Sequence, residues 1–486
     1  MSLLGIDLGS SAIKAVAYTV DGEVLASARE PVPTYRAQPG WSEIKVEESM
    51  AAFDRILGSV ARDRALRRDP PVAISFSSSG REVYPVAEDG RPLGPCLMTA
   101  DTRGDDVAAQ TRARRSPEDW FGLTGHVPRR MDPVNRALWW RREDPAVAAR
   151  ARWFMNWHEH YALQLSGRPV VDASDAAAWA TYDVATGEWS SERIAESGID
   201  ARWLPEIRPD ASPIGPVLDT AAKRYGLPRD VLIVTGAWDA FAASVGSAAV
   251  DPGVIGLACG TWHSFTVPVR AGWPVELVHQ DMTVAPHPGP TGFAILRTDP
   301  NGTSVIDWAR GLMHVSTADL ARGLAAAGSG PSGVFADALL TPRPHVAGGE
   351  ATGGLIAGLT LATAPVDIIR ALLEAIAVHF AVTVDRLRRC GVECTLVRAT
   401  GGGSKLDWWL QLHADATGMP VEVVDQDEPG AFGAAILAGV GAGVYPSVSA
   451  AVARLVRVSK RFEPDRGRGA LYADVRRRLE KEAVAV

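Results

Sequence analysis

Residues 4–11 read Leu-Gly-Ile-Asp-Leu-Gly-Ser-Ser, and residues 255–262 read Ile-Gly-Leu-Ala-Cys-Gly-Thr-Trp. Each stretch predicts a short apolar strand that runs into a turn of small residues, and each is followed by another apolar run. The similarity is weak, but the two stretches lie about half the chain apart. This spacing favours two domains built on one plan, which we expect at residues 1–246 and 247–486.

Length and composition agree with more than one soluble domain. The chain has 486 residues, and a single domain usually holds about 100–200. The net charge is −7 and basic residues form no long block, so nucleic acid is not an expected partner. The four cysteines lack zinc-site spacing, which favours free thiols in a reducing compartment. With no basic leader and no long apolar run, the sequence predicts a cytoplasmic protein without membrane spans.

The pattern of apolar residues predicts an α/β fold. Residues 3–32 read as three strands with a hairpin turn at Asp21-Gly22, and residues 47–68 have helical periodicity. A strand at 72–76 and another at 81–86 follow. In the second half, the strands predicted at 254–258, 263–269, 396–400 and 421–424 are interleaved with helices at 367–389, 406–417 and 430–440.

The first turn combines a carboxylate with groups that suit phosphate. Asp7 ends a strand, Gly9, Ser10 and Ser11 form the turn, and Lys14 follows. Backbone N–H groups of such a turn can face phosphate oxygens, and Asp7 could hold Mg²⁺ through water. The alternative is an ordinary hairpin with a solvated aspartate. In the second half, the matching turn is Gly260-Thr261. It is a candidate phosphate-binding turn only because of its position in the repeat.

A carboxylate at the end of a predicted strand is the candidate catalytic base. Asp239 follows the apolar run 231–234 and Trp238, and it would begin a helix of small residues. It could accept the proton of a hydroxyl that attacks ATP. The alternative is a helix N-cap, a frequent role of aspartate, and capping would not exclude catalysis.

Two glycine-rich segments in the second half are candidates for nucleotide binding. Residues Gly401, Gly402, Gly403 and Ser404 join a predicted strand to a helix, and small residues let a base or ribose approach the backbone. Gly430 and Phe432 lie at a second helix start of small residues. The alternative for both is close helix packing. No Walker A motif occurs, so a P-loop does not hold the nucleotide.

Polar residues in the first half are candidates for binding a sugar. Arg81-Glu82 follows a serine-rich turn, and Asp101 lies in a Thr-Ala-Asp-Thr-Arg segment. Carboxylates and forked guanidinium groups suit vicinal hydroxyls, and Trp238 lies next to the candidate base. Each charged residue could equally be an ordinary surface charge.

Taken in order along the chain, these motifs resemble the FGGY family of carbohydrate kinases, from about residue 3 to 445. The segment Gly5–Ser11 with Lys14 resembles the family's first phosphate motif, and residues 41–43 resemble its Trp-x-Glu segment. Residues 354–359 and 367–377 are similar to its C-terminal signature. Residues 401–404 and 430–435 resemble its adenosine-binding segment, and residues 236–243 resemble the segment with its catalytic aspartate, which falls on Asp239.

The resemblance implies two ribonuclease-H-like domains of the actin/hexokinase type, with ATP and Mg²⁺ as cofactors. It implies phosphorylation of a sugar or polyol hydroxyl, and we expect a ketopentose before glycerol-, erythritol- or gluconate-type substrates. Arg81-Glu82 resembles the pair of glycerol kinase. Residues 341–350 depart from the family's Gly-Glu-Arg loop, which leaves the substrate open.

Two other classes of protein stay open at this point. A non-catalytic sugar sensor would lack a base or the phosphate turns, and a partner-driven ATPase would hydrolyse ATP without sugar. A homodimer is compatible with the sequence.

Overall fold

The computed structural model describes residues 1–340 and 353–482, with side chains up to residue 480. Within these residues, no helix has the length and apolar character that a membrane crossing requires. The chain forms two compact units. The first contains Met1–Val250, Thr283–Ala294 and Glu428–Val456, and the second contains Asp251–Met282, Ile295–Asp427 and the residues from 457 onwards. Because both units draw on distant parts of the chain, the domain boundary near residue 246 stays a prediction.

The first unit is built on a mixed sheet. Strand Ser2–Leu8 pairs antiparallel with Ala12–Thr19 and parallel with Pro71–Ser78. The two-residue strand Ala237–Trp238 also pairs parallel with the end of Pro71–Ser78. The six strands of the continuous sheet, in spatial order, are Pro213–Pro216, Leu232–Val234, Pro71–Ser78, Ser2–Leu8, Ala12–Thr19 and Val24–Pro31.

The predicted hairpin at Asp21-Gly22 is present, and Gly22 has a φ of +87°, which favours glycine. The helix predicted at 47–68 is instead two helices, Val46–Ala61 and Arg64–Arg68. Asp63 separates them, because its side chain accepts a hydrogen bond from the backbone N–H of Ala65 and begins the second helix.

Two helices of small residues cover one face of the sheet. Helix Pro429–Gly441 packs on strand Ser2–Leu8, and a Cβ added to Gly5 would overlap the carbonyl oxygen of Ala431. The same helix contacts Asp239–Gly246, where a Cβ on Gly433 would overlap the carbonyl oxygen of Ala242. The glycines therefore allow backbones to touch at these positions. Close helix packing, the alternative raised for residues 430–435, occurs here.

The remaining elements of the first unit are short. Its other strands are Glu43–Ile44, Tyr84–Val86, Cys96–Leu97, Trp153–Met155, Val170–Asp172, Tyr182–Asp183, Glu188–Trp189, Glu206–Arg208 and Thr283–Pro286. Its other helices are Asp105–Arg112, Pro117–Thr124, Pro133–Glu143, Pro145–Arg150, Trp157–Ser166, Ala173–Ala176, Ser191–Ser197, Asp219–Tyr225 and Val448–Leu455.

The second unit repeats the plan of the first sheet. Strand Gly253–Cys259 pairs antiparallel with His263–Val269 and parallel with Cys394–Thr400. Further strands are Phe293–Asp299, Phe335–Asp337, Leu355–Ala357, Val421–Val424 and Val458–Phe462. The helices are Thr303–Met313, Thr317–Ala326, Pro365–Arg389, Asp407–Thr417, Arg466–Leu471 and Ala473–Glu482. The structure thus shows the repeat that the sequence indicated, although few residues are shared.

Candidate active site

Three strands of the first unit end side by side and place two carboxylates at one edge of the sheet. Asp7 lies opposite Ser77 in the parallel register, and Trp238 lies opposite Ser78. Asp239 follows Trp238 directly. Because the carboxyl ends of parallel strands meet at one edge, the fold brings Asp7 and Asp239 into one region.

Asp7 is half-buried and is held by one hydrogen bond. Ser77 Oγ donates to Asp7 Oδ1 at 2.8 Å, while Oδ2 accepts no hydrogen bond from the part of the chain that the structure describes. Burial raises the pKa of Asp7, and the bond from Ser77 and the charge of Lys14 oppose this rise. A partly exposed carboxylate with one oxygen left open suits a hydrated cation.

The predicted phosphate turn lies beside Asp7. Gly9, Ser10 and Ser11 are exposed between the first two strands, where their backbone groups can reach a ligand. Lys14 is not an isolated positive charge here, because its Nζ forms an ion pair with Glu428 Oε2 at 2.5 Å. Glu428 was not predicted from the sequence, because no local signal links two residues so far apart.

Asp239 is the first residue of helix Asp239–Gly246, and Trp238 occupies the N-cap position. The Asp239 side chain is exposed, and within the described residues its hydrogen-bond donor is the backbone N–H of Ala240, which lies 2.7 Å from Oδ1. It is therefore not the helix cap that the sequence left open. Desolvation by the surrounding protein, followed by the negative charge of Asp7, raises the pKa of Asp239 to about 7.

Arg81 and Trp238 form a buried pair next to Asp239. The Arg81 guanidinium lies over the Trp238 ring, 5.1 Å from its centroid, and forms an ion pair with Asp132. Gly80 makes this arrangement possible, because an added Cβ would lie 3.0 Å from Trp238 Cδ2. Asp132 was missed in the sequence, where nothing near residue 132 marks it as the partner of Arg81.

Glu82 is buried beneath the same turn. Its Oε1 accepts hydrogen bonds from the backbone N–H and the hydroxyl of Thr99, and its Oε2 accepts one from Trp157 Nε1 at 3.3 Å. Burial raises the pKa of Glu82, and these hydrogen bonds oppose the rise. Substrate contact by Glu82 stays a prediction.

Asp101 is fully buried in ion pairs with two arginines. Arg103 and Arg136 contact its carboxylate, and the backbone N–H of Ser42 donates to Oδ2 at 2.6 Å. Arg103 also stacks on Trp41, 3.9 Å from the ring centroid. These bonds anchor the segment around Trp41. The Asp101 carboxylate is thus already engaged by arginines, and a direct contact between Asp101 and the substrate stays a prediction.

The predicted nucleotide turns of the second unit lie against each other. A Cβ on Gly401 would lie 3.0 Å from the carbonyl oxygen of Cys259, directly before Gly260. Gly402 and Thr261 are exposed, and a Cβ on Gly402 would meet nothing within 4 Å. Ser404, by contrast, is buried and donates to the carbonyl oxygen of Gly401 at 2.7 Å. The structure thus joins the two turns that the sequence treated separately.

Gly430 and Phe432 belong to the first unit, whereas Gly401–Ser404 belong to the second. A Cβ on Gly430 would lie 3.0 Å from Asp7 Oδ1, and the buried Phe432 ring lies 4.9 Å from the ring of Tyr18. Their contact with a nucleotide stays a prediction. Residues 341–350, which depart from the family loop, lie outside the described residues.

Comparison with known proteins decides the family. Residues 2–246 match the N-terminal domain of the FGGY family of carbohydrate kinases, and residues 258–442 match its C-terminal domain. The chain belongs to the FGGY family of carbohydrate kinases. The predicted family and the predicted class of enzyme, a carbohydrate kinase, are therefore confirmed.

Relatives with different sugars in their names resemble this FGGY kinase to a similar degree. Xylulose kinase of Escherichia coli is 27% identical over 476 residues, which cover 96% of each chain. Gluconokinase of Bacillus subtilis is 25% identical over 461 residues, 90% of this chain and 86% of the relative.

A solved structure supports the fold. Xylulose kinase of Rhodospirillum rubrum has a TM-score of 0.89 and 23% identity, with coverage of 100% of this chain and 99% of that one. The predicted two-domain α/β fold is confirmed.

Proposed function

We propose that this FGGY kinase transfers the terminal phosphoryl group of ATP to a hydroxyl of a ketopentose or a related polyol. The observation that carries the proposal is the pair Asp7 and Asp239, which end neighbouring strands with Asp239 raised to a pKa of about 7. The similarity to xylulose kinases supports a ketopentose as the first substrate to test.

Asp239 is the proposed general base. A sugar hydroxyl is a weak nucleophile at neutral pH, and a carboxylate within hydrogen-bond reach removes its proton as the new P–O bond forms. A pKa near the working pH suits this task, because a useful fraction is ionised while the carboxylate stays basic enough to take the proton.

Asp7 is the proposed anchor for a hydrated Mg²⁺ ion. When bound, the ion neutralises charge on the phosphates of ATP. Ser77 fixes the orientation of the Asp7 carboxylate, and Gly430 leaves room beside it. The exposed turn Gly9–Ser11 then offers backbone N–H and hydroxyl donors to phosphate oxygens.

Arg81 and Trp238 favour a neutral sugar over a sugar acid. The positive charge of Arg81 is already compensated by Asp132, so a substrate carboxylate would gain less there than at an uncompensated guanidinium. Trp238, which packs against Arg81, is the proposed apolar contact for the carbon skeleton of the sugar. Glycerol-, erythritol- and gluconate-type substrates remain as the alternatives to be tested.

The second unit supplies the proposed nucleotide site. Gly260 and Thr261 would contact phosphates, and the open space at Gly402 admits the flat base or the ribose. Gly403 is packed against Trp409, so its role is to let the turn close rather than to touch the ligand. The cytoplasmic location and the homodimer stay predictions.

A screen of ADP release against pentuloses, hexuloses, polyols and sugar acids tests the proposal. We expect one ketopentose to raise ADP release far above the rate without sugar, and the product to be a sugar phosphate by mass spectrometry. ADP release that no sugar stimulates would favour a partner-driven ATPase and overturn the proposal. Preference for an aldonic acid would overturn the argument from Arg81.

A further inference from the structure

A buried polar cluster lies behind the candidate active site in the first unit. We call it the His158 cluster, and it consists of Asn156, His158, Asp172, Ser174 and Asp175. All five side chains are almost fully inaccessible to solvent. Buried charges are costly unless they are paired, so the charged groups of this cluster must compensate one another.

The imidazole of His158 bridges two carboxylates. Its Nε2 lies 2.6 Å from Asp172 Oδ2, and its Nδ1 lies 2.9 Å from Asp175 Oδ2. A neutral imidazole has only one N–H, so it would turn a lone pair toward one of the carboxylates. The doubly protonated imidazolium is the form that suits both contacts. Burial lowers the pKa of His158, but the charges of Asp175 and Asp172 outweigh it and hold the pKa well above its usual value.

The opposed carboxylates also argue against a metal ion at this position. A metal would bind the lone pair of one ring nitrogen, with the carboxylates gathered on that side. Here Asp172 and Asp175 lie at opposite nitrogens of His158. In this geometry an imidazolium at His158 would be the cation that the two carboxylates share.

One arm of the cluster reaches the turn that carries Arg81 and Glu82. His158 Nδ1 lies 2.6 Å from Ser78 Oγ, and Asn156 Nδ2 donates to the carbonyl oxygen of Ser79 at 3.2 Å. Asn156 Nδ2 also donates to Asp175 Oδ2 at 2.9 Å. The backbone just before the proposed substrate residues is therefore bonded directly to the cluster.

The second arm reaches the residue before the proposed base. Ser174 Oγ donates to Asp172 Oδ1 at 2.6 Å and accepts the backbone N–H of Trp238 at 2.9 Å. Trp238 is the N-cap of the helix that begins with Asp239. A shift of Asp172 would therefore be transmitted through Ser174 to the segment that holds the base.

We propose that His158 is a positioning residue of this kinase, which sets the substrate turn and the Trp238–Asp239 segment relative to each other by clamping Asp172 and Asp175. The inference rests on the proposed function, because it assigns both segments to the site of reaction. It adds a residue that touches neither ligand and acts through two separate hydrogen-bonded arms.

The two arms allow the inference to be tested by variants with different kinetic signatures. Ser174→Ala cuts the arm to Trp238 and is expected to lower kcat about 10- to 100-fold with little change in the KM for sugar, since small misplacements of a catalytic group cost this much. Asn156→Ser keeps a helix-capping oxygen but loses the donor to Ser79, so it is expected to raise the KM and Kd for sugar about tenfold.

His158→Gln is expected to change both parameters, because the two N–H donors of glutamine share one uncharged nitrogen and cannot replace two separate ring nitrogens. Its effect combined with Ser174→Ala should be less than the product of the single effects, as expected for residues in one network. The KM for ATP should stay the same in all variants. If His158→Gln does not fold, the two smaller substitutions carry the test.

His160→Gln is the matched control. His160 is buried on the same helix, but it bonds to Tyr84 and to the carbonyl oxygen of Gly90 instead of the cluster. We expect a similar loss of thermal stability with unchanged kcat and sugar KM. Equal kinetic effects of both histidine variants would overturn the inference, and so would a stoichiometric metal ion that is bound by wild type and lost in His158→Gln.

The sugar Kd, measured by calorimetry without ATP, separates this inference from the proposed function. A wild-type protein that releases no ADP with any sugar would overturn the proposed function. An active wild type whose Ser174→Ala and Asn156→Ser variants leave kcat and sugar affinity unchanged would overturn only the positioning role of His158.

Discussion

The turns after strands Ser2–Leu8 and Gly253–Cys259 occupy matching places in the two units but differ in charge. In each unit, the strand has an antiparallel neighbour that follows it and a parallel neighbour from a later segment. The register aligns Asp7 with Ser77 in the first unit and Ala258 with Thr400 in the second. One sheet edge therefore offers a carboxylate where the other offers a methyl group.

The difference indicates how one architecture divides the proposed reaction. The first turn, with Asp7 and nearby Asp239, can hold a cation and move a proton. The second turn, with Gly260 against Gly401, has small residues that leave space for a bulky and largely flat ligand. If this division is right, substitutions at Asp7 and Asp239 should lower turnover, and substitutions in the glycine turns of the second unit should weaken ATP affinity.

The largest effect is expected from Asp239→Asn. Asparagine preserves the size of the side chain but cannot accept the hydroxyl proton, so kcat should fall by about 10²–10⁴-fold, the usual contribution of a general base. The KM for ATP should change little. Steady-state kinetics with the sugar found in the ADP-release screen would measure both parameters.

Asp219→Asn is the control for this substitution. Asp219 is also exposed and is also the first residue of a helix without a side-chain cap, but it lies on a different helix, Asp219–Tyr225. Its kcat should equal that of wild type. If Asp239→Asn retained more than about a tenth of wild-type turnover, Asp239 would not be the base, since even a modest base contributes more.

A smaller and conditional loss is expected from Asp7→Asn. The variant keeps a partner for Ser77 but loses the charge that would hold Mg²⁺, and the loss of a metal-anchoring charge should lower activity by about 10²-fold. Because the defect is in metal binding, raising the Mg²⁺ concentration should restore part of the activity. Titration of Mg²⁺ at saturating sugar would test this, and a defect that no Mg²⁺ concentration relieves would contradict the role of Asp7.

The second unit is tested by two neighbouring glycines. Gly402→Val places its side chain in open space, so the fold should survive while the KM for ATP rises about 10- to 200-fold, the range for a steric misfit in a pocket. Gly403→Val would press its Cβ within 2.6 Å of Trp409 and should lower thermal stability instead. An unchanged ATP affinity in Gly402→Val would remove Gly402 from the nucleotide site.

Local patterns in the sequence predicted much of this division. Alternating apolar residues and small-residue turns located both strand–turn units, with strand His263–Val269 found at its observed bounds. Asp7 and Asp239 could be singled out because each follows an apolar run, although the sequence alone also allowed a solvated hairpin aspartate at 7 and a helix N-cap at 239. Such signals lie within a few residues of the site.

What the sequence could not predict depends on contacts between distant residues. Helix Pro429–Gly441 packs on strand Ser2–Leu8, so Gly430 belongs to the first unit, whereas the glycines at 401–403 belong to the second. Asp101 was predicted to be a sugar-binding residue or a surface charge, whereas the structure buries its carboxylate between Arg103 and Arg136. The His158 cluster gave no signal, because a histidine and two aspartates become a unit only after folding.

The smallest predicted effect concerns thermal stability. It distinguishes a catalytic carboxylate with a raised pKa from an ordinary surface charge. The pKa of Asp239 rises from 3.8 to about 7 on folding, so the folded state binds this proton more tightly than the unfolded state does. The corresponding stability is present at low pH and is lost as pH rises toward 7.

Asparagine at this position cannot ionise. The melting temperature of Asp239→Asn should therefore exceed that of wild type by about 1–2 °C at pH 8 in buffer without Mg²⁺, a small shift because solvent screens an exposed group. The difference should shrink as the pH falls to 5. Differential scanning calorimetry of both proteins and of Asp219→Asn measures it, and a difference that grows toward low pH would show that Asp239 is stabilised as the charged form, which contradicts its role as a base poised near neutral pH.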